Sequence, residues 1–305
     1  MQNFFSLQRS QVMLYLLLSV VCASCLVLMF KFFERRGVPI FQAIVFNYWS
    51  ASLCALLFLP VKQNALPANI TQQPWLWLAL LLGSMFIVVF NLTSITTVKL
   101  GVSTASVASK LGLVFPVMLA FAVYGETFSM LKVIGILFAF AAVVLSSLKP
   151  NMKEHSVPAT EFLLPVLVFA GSGACDSLTQ FANKKYLINN GIEEFTLMLF
   201  IAAACTGTLA FIYMVVKHKH RTNRQSLYWG IVLGVLNYFS FLFLLKALAV
   251  LSWGSSVVFP LNNLGMVAVA TIAGIVLFKE KISATNFAGL LLAAASIITI
   301  VLSGT

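Results

Sequence analysis

The chain carries its apolar residues in long blocks. It shows neither the alternation of a half-buried strand nor the three-and-four spacing of a soluble amphipathic helix. Ten blocks each supply the roughly 20 mostly apolar residues that a membrane-spanning helix needs. They are residues 12–33, 40–61, 74–97, 102–125, 129–148, 161–183, 194–216, 226–248, 254–278 and 284–303. The pattern predicts an all-α membrane protein of ten transmembrane helices. Pro39 and Pro74 stand at or just before helix starts, where a missing N–H matters least, and Ser129 and Ser283 are expected N-caps of the fifth and tenth helices. The first block is too long for the core of a cleaved signal and is read as a retained helix. The connections are short. Even the longest, 62–73, 149–160 and 217–225, are too small for a soluble catalytic domain.

Displaced by 154 residues, the sequence meets itself without a gap: Lys31 falls on Lys185, Gly37 on Gly191, Phe41 on Phe195, Glu126 on Glu280, Ser129 on Ser283 and Gly135 on Gly289. Leu and Ala matches are cheap in such a chain, whereas Lys, Glu, Gly and Ser matches in one register are not. Two units follow, 1–150 and 151–305, each with five spans. An odd number sends the second unit into the membrane from the opposite side, which is the inverted-topology repeat of alternating-access transporters. Counting Lys31 and Lys132 at the helix ends, the loops after helices 1, 3, 5, 7 and 9 hold twelve Lys and Arg, against five in the N-terminal tail and the loops after helices 2, 4 and 6. The basic excess marks the cytoplasmic side, so both termini are expected on the other side of the cell (inner) membrane.

Composition excludes a water-soluble enzyme. Apolar residues make up 61% of the 305 and charged residues 9%, too few to cover a soluble core; mean hydropathy is +1.00. The net charge of +11 gives no nucleic-acid surface, because the basic residues sit in short loops as anchors near anionic lipid. Cys22, Cys25, Cys54, Cys175 and Cys205 are odd in number and lie inside apolar runs, so no disulfide framework follows, and Cys22 with Cys25 reads as packing. No cofactor or metal is expected. The expected partners are membrane lipids and a small-molecule substrate, with the chain a monomer or a homodimer.

Two stretches, GVSTASVASKLGLVFPVMLAFAVYGETFSMLKVIGILFAFAAVVL at 101–145 and SWGSSVVFPLNNLGMVAVATIAGIVLFKEKISATNFAGLLLAAASIITIVL at 252–302, share one signature. Each has a small-residue helix, a Glu at the membrane boundary, a short turn, and a helix opened by Ser with Gly six positions later. With the five-plus-five repeat, this resembles the EamA-type members of the drug/metabolite transporter superfamily. The resemblance covers nearly the whole chain and implies a ten-helix carrier. It leaves the substrate open among amino acids, sugars, nucleotide sugars and organic cations. Pro116 faces Ala270 at its repeat mate and Pro260 faces Ser106, so the two halves are expected to bend at different depths.

Ionisable side chains deep in a span cost about 2.5–3.5 kcal/mol each and face a cavity or a partner. Lys110 and Asp176 are the two that fall mid-span. Asp176 belongs to a stripe, Ser172, Asp176, Gln180 and Asn183, on one helical face, with Gly171 and Gly173 beside it. Lys110 continues a line with Ser103 and Ser106. The pair is read either as a structural ion pair or as matching charges for the carboxylate and ammonium of a zwitterion such as an amino acid. Asn262 and Asn263 follow Pro260 beside the repeat mate of Lys110. Asn47, Tyr48, Asn91, Asn237 and Tyr238 complete the expected substrate-binding set. Helices 1, 3, 4, 6, 8 and 9 are expected to line the cavity, with helices 5 and 10 outside.

Glu126 and Glu280 sit at short turns on opposite faces and are read as structural. Lys246 is expected to snorkel, and Trp75 and Trp77 to join the interfacial belt. An intramembrane enzyme would need a nucleophile and a base within the spans, yet His155, His218 and His220 all lie in loops. A channel or a membrane scaffold are the other classes. The preferred reading is a secondary transporter, most consistent with export of a small zwitterionic metabolite.

Overall fold

The computed structural model describes residues 2–59, 70–112, 114–116, 130–147, 159–187, 191–218, 223–249, 255–279 and 283–302. Among them there is no strand. The helices are α1 (Gln2–Arg36), α2 (Ile40–Leu57), α3 (Leu76–Leu100), α4 (Val102–Leu111), α5 (Met130–Ser147), α6 (Ala159–Ala182), α7 (Ile192–His218), α8 (Arg224–Ala249), α9 (Ser255–Phe278) and α10 (Ala284–Leu302). A π-helical turn, Asn183–Leu187, extends α6. Five stretches are long and apolar enough by themselves to cross a membrane: Gln11–Arg36, Ile40–Leu57, Leu76–Leu100, Ile192–Lys217 and Arg224–Leu248. Gly265–Phe278 and Ala284–Ser296 are shorter apolar stretches. The chain is a multi-pass integral membrane protein.

The helices pack in a paired pattern. α2 packs on α8 as α3 does on α7, α1 on α8 as α3 on α6, and α1 on α9 as α4 on α6. The contacts α2 to α7, α4 to α9 and α5 to α10 join the equivalent helices of the two halves. Gly37 and Gly191, equivalent in the 154-residue register, both have left-handed backbone (φ 64° and 94°), the conformation glycine adopts without a β-carbon penalty.

Close approach between α2 and α8 comes from Gly230 and Gly234. A β-carbon on either would collide with α2 backbone, at Ala43 and Asn47 respectively. α5 and α10 lean on one another: Ser296 Oγ donates to the Gly135 carbonyl at 2.7 Å and Asn286 Nδ2 to the Leu145 carbonyl at 3.3 Å.

Ser283 caps α10, accepting the Asn286 N–H at 3.1 Å. Ser129, Glu126 and Glu280 lie outside the described residues. Trp77 is exposed, but Trp75 departs from the belt expected of it. It is buried and meets Phe195 edge-on at 5.8 Å, because α7 covers the start of α3. Lys246, expected to snorkel, has its Nζ 3.7 Å from a Glu193 carboxylate oxygen.

Candidate functional site: a central charged cavity

Along α6, Ser172, Asp176 and Thr179 recur at four and three residues, one face of the helix. That face meets α4 at a crossing where both helices carry glycine. A β-carbon on Gly112 would lie 2.6 Å from the Gly173 nitrogen, and one on Gly173 would lie 2.7 Å from the Gly112 oxygen. The crossing brings Lys110, two residues before Gly112, into the same cavity as Asp176, three residues after Gly173.

The cavity measures about 170 Å³, well above the roughly 10–15 Å³ that a single water requires. Residues of α1, α3, α4, α6, α8 and α9 line it, joined by Tyr48 of α2; among the described residues none comes from α5 or α10. Much of the wall is hydrocarbon, from Leu26, Val27, Phe86, Phe90, Phe241 and Leu244. Phe90 is braced edge-on by Phe30 at 4.9 Å and by Tyr48 at 5.9 Å.

Two charges interrupt this wall. Lys110 and Asp176 are only half-buried although they sit at the centre of the bundle, which is the exposure a cavity gives. They interact electrostatically. The ion pairs among the described residues are nevertheless Lys31 with Glu34 at 2.7 Å and Lys246 with Glu193, so Lys110 and Asp176 do not pair directly.

Six of the expected site residues line the cavity: Lys110, Asp176, Ser172, Asn237, Asn262 and Tyr48. The other six lie elsewhere. Asn263 supports the site from behind, its Nδ2 donating to the Lys110 carbonyl at 3.1 Å. Asn47 does the same for Asn237, whose Nδ2 donates to Asn47 Oδ1 at 3.2 Å. Asn91 bonds its own helix, Nδ2 to the Ile87 carbonyl at 3.4 Å. Tyr238 is buried in an aromatic cluster, stacked on Phe58 at 5.8 Å. Ser106 is buried, and Gln180 stands one residue beyond Thr179, off the lining.

Lining hydroxyls at Ser19, Thr93, Ser109, Thr179 and Ser240 were not anticipated from the sequence. Ser109 and Thr179 were within reach, as a chain neighbour of Lys110 and a helical neighbour of Asp176. Ser19 and Ser240 are isolated hydroxyls; only the fold shows Ser19 Oγ donating to the Ser240 carbonyl at 2.9 Å, joining α1 to α8.

A family model described as the EamA-like transporter family matches residues 10–148. A protein of Haemophilus influenzae (strain Rd), described as uncharacterized, is 30% identical over 288 residues, covering 92% of this chain and 95% of its own. A solved crystal structure superposes with a TM-score of 0.64 over 96% of this chain and 97% of that chain. At 17% identity, that likeness concerns the fold.

Proposed function

The chain belongs to the EamA-like transporter family, part of the drug/metabolite transporter superfamily, and from that premise we propose a secondary carrier that exports a small zwitterionic metabolite, an amino acid or close analogue. It works by alternating access across the inner membrane. The observation that carries this reading is the cavity holding Lys110 and Asp176 without a direct bond between them. An unpaired charge held away from water is costly. A solute bringing a carboxylate to Lys110 and an ammonium to Asp176 would neutralise both while its hydrocarbon part meets Phe86, Phe90 and Phe241.

Alternating access rests on the five-plus-five inverted repeat, with units 1–150 and 151–305. The paired helix contacts support it, since α2 to α8, α1 to α8 and α1 to α9 have counterparts in α3 to α7, α3 to α6 and α4 to α6 under a shift of five helices. The basic excess in the loops supports an orientation with the ends of α1, α3, α5, α7 and α9 in the cytoplasm and both termini outside.

Purified protein in liposomes tests the reading. Saturable counterflow of a labelled amino acid supports it, and Lys110→Ala and Asp176→Asn should each abolish counterflow while the protein stays folded. Full activity in both variants discards the zwitterion site. Conductance steps would point to a channel, and counterflow of sugars or quaternary cations alone to another substrate class.

A further inference from the structure

Asn262 is 3% exposed, lines the cavity, and uses only half of its amide. Its Nδ2 donates to Met266 Sδ at 3.4 Å, one turn along α9. Its Oδ1 has no hydrogen-bond partner among the described residues. The thioether fixes which way the amide points: sulfur is a weak acceptor that attracts the NH2 and repels the carbonyl. A buried amide oxygen without a donor is rare and unfavourable, and here it belongs to a side chain in the wall of a solute-sized cavity.

We propose that Asn262 Oδ1 is a specificity element that accepts an N–H from the cationic end of the solute, so that the site takes primary and secondary amines and rejects fully alkylated ammonium groups. This rests on the zwitterion reading and deepens it. Asp176 selects mainly on charge, since a carboxylate attracts any cation, and Asn262 adds an acceptor that has no other partner among the described residues. A quaternary ammonium has the charge for Asp176 and no N–H for Asn262, so its binding leaves the amide oxygen unpaired. Sites built to hydrogen-bond a ligand N–H penalise analogues that lack it far more than hydrocarbon pockets penalise a missing methylene. The expected preference is about tenfold or more.

Three neighbouring hydroxyls differ in having a partner without the solute, so a missing solute N–H costs them less. Thr93 Oγ1 donates to the Val89 carbonyl at 2.8 Å and Ser240 Oγ to the Asn237 carbonyl at 3.0 Å, each within its own helix. Ser172 Oγ donates to Ser109 Oγ at 3.2 Å.

The test uses the full-length protein with the common α-amino acids, their N,N,N-trimethyl betaines, and the corresponding decarboxylated amines with and without N-methylation, read by thermal shift and by inhibition of counterflow. In the wild type, each amino acid that binds should do so at least tenfold more tightly than its betaine. In Asn262→Leu, close in size and without the acceptor, the ratio should fall below about threefold. Asn262→Asp keeps acceptor oxygens and should keep the preference, which guards against a folding defect in the Leu variant. Equal binding of amino acid and betaine by the wild type overturns the role of Asn262 and leaves the zwitterion reading standing; so does an unchanged ratio in a folded Asn262→Leu protein. Amines that bind as tightly without a carboxylate, with the N–H preference intact, retain Asn262 and remove the Lys110 half of that reading. Failure of every amino acid and amine to bind overturns both.

Discussion

Arg35 Nη2 donates to the carbonyl of Phe278 at 2.7 Å, and its guanidinium lies 4.8 Å above the Phe278 ring. The two residues end α1 and α9. The last carbonyls of a helix lack partners within it and carry the negative end of its dipole, so a guanidinium there is well placed. Beside it, Lys31 Nζ donates to the Val98 carbonyl near the end of α3 at 3.3 Å. Above these contacts Val27, Val102 and Ala270 form a small buried cluster between the cavity and this face.

If the two five-helix units rock, the α1 to α9 seam must open on this face, and the Arg35 contact is expected to hold it shut. Cys175 is a native reporter, because it lines the cavity. With Cys22, Cys25, Cys54 and Cys205 replaced by Ala, Arg35→Ala should raise several-fold the rate at which an impermeant maleimide applied to this face labels Cys175. Arg35→Lys should lie between. Stability should fall by no more than about 1 kcal/mol, as for an exposed charge at a helix end. An unchanged labelling rate would leave Arg35 as a helix cap and nothing more.

Gly173→Val should separate transport from folding. A β-carbon at 173 meets the Gly112 oxygen and the Phe115 ring, so α4 and α6 must part, carrying Lys110 away from Asp176. Overpacking of this kind costs about 1–3 kcal/mol. The expected result is a lower melting temperature with counterflow lost. Gly37→Ala is the contrast: its φ of 64° penalises a side chain by about 1 kcal/mol, but nothing lies within 4 Å of the new carbon. It should melt lower and still transport. Active Gly173→Val protein would show that the crossing does not position the charges.

The comparison between sequence and structure turns on what a bilayer hides. Lys110, Asp176 and Ser172 were legible because charge inside an apolar block is costly, and because two polar residues at helical spacing define a face. The facing of most other residues was not legible. In water, one apolar stripe says which side of a helix is buried; in lipid both sides are apolar, so Trp75 reads as belt and packs on Phe195. Hydroxyls are silent for a second reason. Thr93 and Thr97 satisfy themselves on the carbonyls of Val89 and Thr93, so their presence costs little wherever they face. Asn91 does the same on Ile87, which is why an amide expected in the cavity lies beside it.

Lys246→Gln should change little. Its partner Glu193 is 3.7 Å away and both side chains are partly exposed, at 38% and 24%. Solvent screening keeps such pairs below about 1 kcal/mol. Counterflow should stay near wild type and the melting temperature should move only slightly, at low and at high salt alike. A loss of transport comparable to that of Lys110→Ala would mean that Lys246 belongs to the solute pathway.

Asn47 and Asn237 offer a measurement of how one helix positions another. Asn237 lines the cavity, and its Nδ2 is held by Asn47 Oδ1 from α2, where Asn47 is fully buried and its own Nδ2 has no partner among the described residues. All of Asn47's side-chain hydrogen bonding there therefore passes through Asn237. Asn47→Leu should weaken solute binding without contact to the solute, raising KM several-fold with the maximal rate little changed. Asn237→Leu should do at least as much damage, and the double variant no more than the worse single. Melting of the four proteins gives the coupling energy, expected at about 0.5–1.7 kcal/mol, the range of hydrogen bonds between membrane helices. Strictly additive effects would show that the two amides act independently and that Asn47 has no part in orienting the cavity wall.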